Sequence, residues 1–440
     1  MSNHTNLPPV IVKANAIAAH VPNDLPALQI VQRSTVGPVV RLCAVGDIGL
    51  SGRAAITAER EGADTLFVEV APLLQDADMV FGNLESPLAG AIAPGKMFAA
   101  PVAGATALRK AGFRLLHLAN NHVGEYGQIG LTATLKAVRE AGMIPLGAGD
   151  DMAAARQLIH TEVNGLRLGW LGCGRTLLPQ NGAGSRYWEF EAQELLDAVT
   201  QARPNVEVLI VSIHIGLMYL DYPSPAHKVM AENLMAAGAD LILMHHAHVL
   251  QGAQVTSPGR VCCYNLGNFL YDWEEGNVQT PVMLREQNEG AVFLFHLDRQ
   301  GIAVAMAFPT WIDEGCRVRW AAGERGHQIL QRLTRISRDL EKDFTLAFEH
   351  QRASRNTAAI LKVLAFHVWR GNWRYIIDSL RRARPEHFKM LARWLIDFVR
   401  SHSQSEPQPN PNADEPQPKR MTAHGMSRHS GITEFFIFFS

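Results

Sequence analysis

The sequence predicts an α/β domain with largely parallel strands, and three observations support this. From Val39 onward, short apolar runs alternate with longer amphipathic segments, as strands and helices do in such domains. Two of the amphipathic segments, 131–142 and 224–238, end at a glycine, which commonly terminates a helix. Polar side chains stand at or just after the ends of the apolar runs, where strands in open sheets line a ligand crevice. The predicted strands are VVRLCAVGD, DMVFGNLE, FRLLHLANNH, LRLGWLGC, VEVLIVSIH, ADLILMHH and RVCCYNLGN.

The rest of the chain divides around this domain. Two more predicted strands, GAVFLFHLD and IAVAMAFPTW, complete a domain that spans residues 39–320. Residues 1–38 are rich in proline and are expected to form a poorly ordered N-terminal arm. Residues 321–400 show helical spacing of apolar residues. Residues 401–440 begin with a tract of Pro, Gln and Asn that cannot form a core, and they are predicted to be a disordered tail.

Composition narrows the class of protein. The 440 residues include 41 basic and 42 acidic ones, and this balance argues against a protein that mainly coats nucleic acid. The five cysteines are not arranged in CxxC pairs, so we expect free, buried thiols in a reducing compartment. The N-terminus lacks the pattern of a secretory signal, and no segment reaches the ~20 apolar residues of a membrane span. We therefore expect a cytoplasmic protein, with attachment to the inner membrane surface left open.

Residues of metal-ligand type end six of the predicted strands. They are Asp47, Glu85, Asn121 with His122, His214, His246 with His248, and Asn268. Imidazole and carboxylate ligands with one amide oxygen suit a hydrolytic divalent ion such as Zn²⁺, Mn²⁺ or Fe²⁺. In LILMHHAHVLQG, an extended backbone would place His246 and His248 on one face, with His245 pointing away in a packing or supporting role. The sequence thus predicts one or two divalent ions at one edge of the sheet.

Several longer motifs, in order and combination, resemble a known family over roughly residues 40–272. The motifs are GDIGLSGR, GNLESPL, LANNHVGEYGQIGLTATLKAVREAGMIPLGAG, SIHIG, GADLILMHHAHVLQG and YNLGNF. They resemble the bacterial CapA family of poly-γ-glutamate or capsule biosynthesis proteins, whose fold is similar to that of calcineurin-like metallophosphoesterases. The resemblance implies a four-layer α/β/β/α sandwich with a C-terminal helical extension, so the purely parallel arrangement is too simple.

The same resemblance implies a role for each candidate residue. His122 corresponds to the histidine that protonates the leaving group or stabilises developing charge. The implied metal ligands are Asp47, Glu85 as a bridging carboxylate, Asn121, His214, His246 and His248. The implied substrate contacts are Asn268, Tyr219 and Glu125.

The sequence also departs from these patterns. The phosphoesterase signature has Asp-x-His at the first strand, whereas Asp47 is followed by Ile48 and Gly49. One metal position would then lack a ligand, which allows a mononuclear or asymmetric site. Glu125 stands where the family usually has aspartate. The HWGxE pattern has Ile215 in place of its tryptophan and Met218 in place of its glutamate, although Tyr219 is retained.

The basic helical region allows three interpretations. Residues 359–400 carry nine Lys or Arg and three Asp or Glu, with Trp369, Trp373, Phe388, Trp394 and Phe398 interleaved. The region could pack on the α/β domain as a helical cap. It could instead dock on an anionic membrane surface or a membrane-associated synthase. Nucleic-acid binding is the least favoured interpretation.

Two functions from different classes remain. The first is a metal-dependent hydrolase of capsule, poly-γ-glutamate or other exopolymer biosynthesis, in which a metal-activated water attacks a phosphoester or a γ-glutamyl amide of an anionic polymer. The alternative is a non-catalytic polymer-binding or scaffold subunit of a synthesis or export complex. Gly49 and Met218 favour the alternative.

Overall fold

The structure is a computed structural model that describes residues 9–14, 18–90, 98–175, 184–257, 259–271 and 286–354. The chain separates into two compact units, residues 1–366 and 367–440. All elements below belong to the first unit. The basic region 359–400 and the predicted tail 401–440 lie outside the described residues.

The larger sheet contains ten strands within the described residues. They are β1 (Val10–Lys13), β2 (Pro26–Gln32), β3 (Val40–Ile48), β4 (Met79–Leu84), β5 (Leu115–His117), β6 (Ile144–Leu146), β15 (Asn268–Leu270), β16 (Glu289–Asp298), β17 (Gly301–Ile312) and β18 (Val318–Trp320). Their order is β1-β2-β17-β16-β3-β4-β5-β6, with β15 also beside β3 and β18 beside β17. Strands β3 to β6 and β15 run parallel, while β16, β17 and β2 add antiparallel strands.

The smaller sheet has six strands in the described part of the chain. They are β8 (Ile159–Val163), β9 (Leu166–Gly174), β11 (Val208–His214), β12 (Leu241–His245), β13 (Ala253–Ser257) and β14 (Arg260–Cys263). In the order β13-β14-β12-β11-β9-β8, the four central strands are parallel and the two edge strands are antiparallel. Strands β7 (Ala148–Gly149) and β10 (Arg186–Tyr187) form a separate pair.

Eight α-helices with defined bounds connect these strands within the described residues. They are α1 (Gly52–Glu61), α2 (Ala71–Asp76), α3 (Ala103–Ala111), α4 (Gly127–Glu140), α5 (Met152–Ala155), α6 (Ala192–Ala202), α7 (Pro225–Ala237) and α8 (Gly323–Asp339), with 3₁₀ turns at Ala63–Leu66 and Arg203–Asn205 and a further helical segment at 345–354. Helix α7 shows how the sequence sets a boundary. The Ser224 hydroxyl accepts a hydrogen bond from the His227 N–H at its start, and Gly238 ends it at φ 125°.

Three apolar clusters show that the two sheets are stacked between helices. Alternate residues of β3 divide, so that Leu42 faces the smaller sheet and Cys43 faces helices α1 to α4. On β11, Ile210 faces the larger sheet and Val211 faces α6 and α7. This alternation is the period of a strand buried on both faces. The predicted four-layer α/β/β/α arrangement is therefore confirmed. The five cysteines are free and buried, as predicted.

The sheets are mixed rather than purely parallel, as the family resemblance implied, because the strands that follow β15 return as an antiparallel hairpin beside β3. One expectation is wrong. The N-terminal arm is not wholly irregular, because residues 26–32 form a strand that pairs with β17. Leu28 on that strand is fully buried between the layers, and this burial stabilises the strand.

Candidate metal and catalytic site

The predicted ligands lie at the carboxyl ends of strands from both sheets. Asp47 is near the end of β3, Glu85 directly follows β4, and His214 is the last residue of β11. Asn121 and His122 lie in the loop after β5. His246 and His248 follow β12. Because the parallel strands of both sheets end at this edge, residues that are up to 201 positions apart in sequence meet there.

The donor atoms form two overlapping groups that share Glu85. Asp47, Glu85 and His214 offer atoms within 4.8 Å of one another, and so do Glu85, His246 and His248. His214 is central, since its Nε2 lies 2.7 Å from Asn121 Oδ1, 3.2 Å from His246 Nδ1 and 3.6 Å from Glu85 Oε1. All six predicted ligands are thus brought together.

Glu85 is the strongest sign that this cluster is built for a cation. Its side chain is fully buried, and neither carboxyl oxygen has a hydrogen-bond partner among the described residues. A buried carboxylate without a donor is costly unless a positive charge compensates it. Burial first, and then the charges of Asp47 and Glu125, hold the pKa of Glu85 well above its ordinary range. The residues therefore fit the divalent ion that the resemblance implies.

Two of the histidines, His214 and His246, are held in the neutral form that metal ligands require. Burial, followed by the neighbouring His248, lowers the pKa of His246 to about 3. Burial and His246 also lower the pKa of His214 well below its usual value. Asp47 behaves in the opposite way to Glu85. Burial alone would raise the pKa of Asp47, but hydrogen bonds and charges from His245 and His248 outweigh it and hold the pKa well below the usual range. The site therefore presents neutral imidazoles at His214 and His246 and an ionised aspartate near neutral pH.

A turn, rather than an extended strand, directs the paired histidines. Strand β12 ends at His245, and His246 and His248 then have φ values of 99° and 57°. The argument from strand alternation was therefore wrong for these two residues. Left-handed backbone at non-glycine residues costs of order 1–3 kcal/mol and is found at functional sites. His245 remains on the strand and is fully buried, with its Nδ1 3.4 Å from Asp47 Oδ1.

Asn268 supports His248 rather than opening to the rim. It is fully buried, and its register pairs it with Asp47 across β3 and β15. Its Oδ1 lies 2.9 Å from His248 Nδ1, and its Nδ2 donates to the Gln287 carbonyl. When Nδ1–H donates to Asn268, the Nε2 lone pair of His248 faces Glu85 at 3.6 Å. Such an outer partner fixes the tautomer and ring orientation of a metal-binding histidine.

His122 is buried beside the donor groups and is held from both sides. Its Nδ1 lies 2.5 Å from Glu125 Oε1, and its Nε2 lies 3.0 Å from Asn121 Nδ2. The ring of Phe98 packs over it with centroids 4.0 Å apart. Glu125 thus contacts His122, and its predicted contact with substrate stays a prediction. The imidazole is in place to exchange a proton beside the donor groups.

Two tyrosines border the His248 side. The Tyr219 ring lies 6.2 Å from that of His248, and the Tyr219 N–H donates to the Ala247 carbonyl. Tyr271 is almost fully buried, and its ring centroid lies 4.8 Å from that of His248. Burial first, and then Glu85 and Asp47, hold the pKa of Tyr271 well above its usual value.

The sequence interpretation missed three supporting residues. Asn83 donates through Nδ2 to Asp47 Oδ1 at 2.8 Å and lies 3.1 Å from His214 Nδ1. His117 stacks on His245 with centroids 5.9 Å apart. Tyr271 packs on His248. Asn83 and His117 stand on strands whose neighbours are apolar, and a polar residue within such a run is the signal that could have identified them.

Comparisons with known proteins point to one family of bacterial proteins. The family model described as "Bacterial capsule synthesis protein PGA_cap" matches residues 41–273. The "Capsule biosynthesis protein CapA" of Bacillus anthracis is 31% identical over 287 residues, which cover 62% of this chain and 67% of that protein. The "PGA biosynthesis protein CapA" of Bacillus subtilis (strain 168) is 26% identical over 319 residues, which cover 69% of this chain and 78% of that protein.

Solved structures show a more distant likeness. A 5'-nucleotidase from Candida albicans SC5314 superposes with a TM-score of 0.36 at 9% identity, covering 71% of this chain and 61% of that one. A likeness of this degree supports no conclusion on activity. Among the helices that the structure describes, none combines the length and apolar character that a membrane crossing requires.

The family match covers more than half of the chain, including all the donor residues of the site. The B. anthracis relative extends the likeness beyond the matched segment. The chain therefore belongs to the bacterial capsule synthesis protein (PGA_cap) family, together with the CapA proteins of capsule and PGA biosynthesis.

Proposed function

We propose that the protein is a metal-dependent hydrolase that acts on an anionic polymer or its precursor in capsule, PGA or exopolymer biosynthesis. The bond cleaved would be a phosphoester or a γ-glutamyl amide. The observation that carries the proposal is the fully buried Glu85, whose carboxyl oxygens lack donors among the described residues and face the imidazoles of His214 and His248. A cluster of this kind is unfavourable by itself and becomes favourable with a divalent ion.

Six residues would hold the ion, namely Asp47, Glu85, Asn121, His214, His246 and His248. When bound, a Mn²⁺, Zn²⁺ or Fe²⁺ ion supplies Lewis acidity and lowers the pKa of a coordinated water. The supporting residues keep these ligands oriented. Asn83 fixes Asp47 from one side, and Asn268 fixes His248 from the other.

His122 would serve as the general acid. Its Nε2 lies 3.8 Å from Glu85 Oε1, so the ring borders the space in front of the donor groups. Glu125 accepts the Nδ1–H and sets the ring so that Nε2 points toward that space. With both ring nitrogens protonated, Nε2–H would pass its proton to the leaving oxygen or nitrogen as the bond breaks, and the ring would keep its Nδ1–H on Glu125.

An activity screen with matched variants tests this proposal. Purified protein loaded with each divalent ion is assayed on a phosphomonoester, a phosphodiester and a γ-glutamyl amide. We expect His122→Ala to lose ~10²–10⁴-fold in kcat, which is the range for general acid–base catalysis, while metal content stays unchanged. His160→Ala, an exposed histidine on β8, is the control and should retain full activity.

The same variants decide between catalyst and scaffold. Gly49, which offers no ligand beside Asp47, favours a non-catalytic polymer-binding subunit of a synthesis or export complex. If cells that carry His122→Ala form polymer as well as wild-type cells do, the catalytic proposal fails and the scaffold function takes its place.

Partners and location remain part of the proposal. We propose a cytoplasmic protein whose residues 359–400 dock on a membrane-associated synthase or the anionic membrane surface. Pelleting with anionic liposomes at increasing salt concentration tests the docking, and we expect it to weaken as salt rises. Pelleting that does not change with salt concentration or lipid charge would contradict the docking. Binding to nucleic acid is not expected.

A further inference from the structure

Gly49 and Tyr271 are neighbours across two parallel strands at the edge of the site. The pairing of β3 with β15 aligns Ile48 with Leu270, and the Gly49 N–H donates to the Leu270 carbonyl at 2.6 Å. The next residue on each strand is therefore Gly49 on one side and Tyr271 on the other. Gly49 follows the ligand Asp47 by two positions, so a side chain at residue 49 would project to the same side as Asp47.

The ring of Tyr271 occupies the space that this side chain would need. A Cβ placed on Gly49 would lie 3.0 Å from Tyr271 Cδ2, 3.2 Å from Cε2 and 3.4 Å from Cγ. Gly49 does not have a left-handed backbone, so the obstacle is the ring and not the φ angle. At this point beside Asp47, Gly49 therefore provides no ligand, and the Tyr271 ring fills the space that a side chain at residue 49 would occupy.

The two donor groups that share Glu85 differ in their members, although Asp47 Oδ2 also lies 3.3 Å from His248 Nδ1. On the His214 side, Asp47, Glu85 and His214 are joined by Asn121 Oδ1, which lies 2.7 Å from His214 Nε2. On the other side, Glu85, His246 and His248 form a three-residue group. The Tyr271 ring packs against His248 there, with centroids 4.8 Å apart, at the corner where a further ligand would enter.

The charge balance of the site also favours a single divalent ion. Asp47 and Glu85 are the two carboxylates of the donor groups, and both are fully buried. One divalent ion neutralises both, whereas a second would leave two uncompensated positive charges in a buried site. Glu125 is nearby, but it is a quarter exposed and is bonded to His122.

We propose that the six donor residues together bind one divalent ion tightly, and that Tyr271 packed over Gly49 excludes a second ion from the His248 side. The proposal rests on the metal-dependent function proposed above and specifies its stoichiometry. The ring's volume, rather than its hydroxyl, produces the exclusion.

Metal stoichiometry tests the proposal without reference to activity. The untagged full-length protein is stripped with chelator, titrated with Mn²⁺, and examined by elemental analysis and electron paramagnetic resonance. We expect about one tightly bound equivalent, with the spectrum of isolated Mn²⁺. The double variant Gly49→His/Tyr271→Ala, which supplies a ligand and the room for it, should bind about two equivalents and show an exchange-coupled spectrum.

Tyr271→Phe is the matched control, because it keeps the ring and removes the hydroxyl. It should remain at about one equivalent. Two tight equivalents in the wild-type protein, or a second one in Tyr271→Phe, would overturn the proposal while leaving a metal-dependent function intact. No binding of Mn²⁺, Zn²⁺ or Fe²⁺ by the wild-type protein would overturn both.

Discussion

Replacing Glu85 by glutamine separates the stability of the metal-free protein from its response to metal. The carboxyl group is fully buried beside Asp47, and its oxygens have no hydrogen-bond donor in the described residues. Glutamine has the same shape without the charge, and its amide can donate to the ionised Asp47. The variant should therefore lose metal binding without losing the fold.

The magnitudes follow from this geometry. A buried polar group without a partner costs about 1–3 kcal/mol, so metal-free Glu85→Gln should be as stable as the metal-free wild type or more stable by up to that amount. A metal ion at 100 times its Kd stabilises the wild type by about 2.7 kcal/mol. For a domain of this size, that corresponds to a rise in Tm of roughly 4 °C.

Thermal unfolding with chelator and with excess Mn²⁺ or Zn²⁺ provides the assay. The wild-type Tm should rise with metal, and the Glu85→Gln Tm should not. Glu140→Gln, an exposed substitution on α4, is the control and should respond as the wild type does. An equal metal-induced rise in Glu85→Gln would refute the assignment of Glu85 as a ligand.

Three further predictions concern the residues around the site and the sheet edge. Asn268→Ala should weaken metal binding by ~10–100-fold, measured by calorimetric titration, because His248 loses the partner that orients its ring; unchanged affinity would contradict that role. Glu125→Ala should lower kcat with little change in metal affinity, and equal losses in both would show that Glu125 acts on the metal instead. Asp298→Asn should cost about 1.5–3 kcal/mol at neutral pH, because buried Asp298 accepts two hydrogen bonds from Arg33 at 2.6 and 2.7 Å. Burial would raise the pKa of Asp298, but these bonds and those from two backbone N–H groups lower it below 3.8. The contribution of Asp298 to the free energy of unfolding is therefore present above about pH 4 and is lost as pH falls further. Urea unfolding in which the variant keeps the acid dependence of the wild type would contradict this role of Asp298.

The sequence was sufficient to predict the parallel strands and the site residues at their carboxyl ends. Asp47, Glu85 and His214 follow apolar runs with strand character, and the carboxyl ends of parallel strands share an edge whatever the order of the strands. Convergence of the ligands could therefore be predicted without knowing which strands are neighbours. The stacking of two sheets came from the family resemblance, because an apolar run buried on both faces does not reveal which sheet it joins.

The remaining features depend on contacts between distant parts of the chain. Strand β2 pairs with β17, and the paired residues lie more than 270 positions apart. The local sequence of residues 26–32 therefore could not predict this pairing. The orientation of His246 and His248 depends on left-handed backbone that a strand pattern does not show. The role of Asn268 required the register of β15 beside β3, which turns a residue expected at the rim into a buried support for His248.

The central claim is that this site binds a divalent metal ion, and elemental analysis tests it most directly. Protein purified without a histidine tag is compared with the His246→Ala/His248→Ala double variant after incubation with Mn²⁺, Zn²⁺ or Fe²⁺ and removal of free ions. The account predicts about one equivalent of metal in the wild type and none in the variant. A wild-type protein that retains no metal, or a variant that retains as much as the wild type, would contradict it.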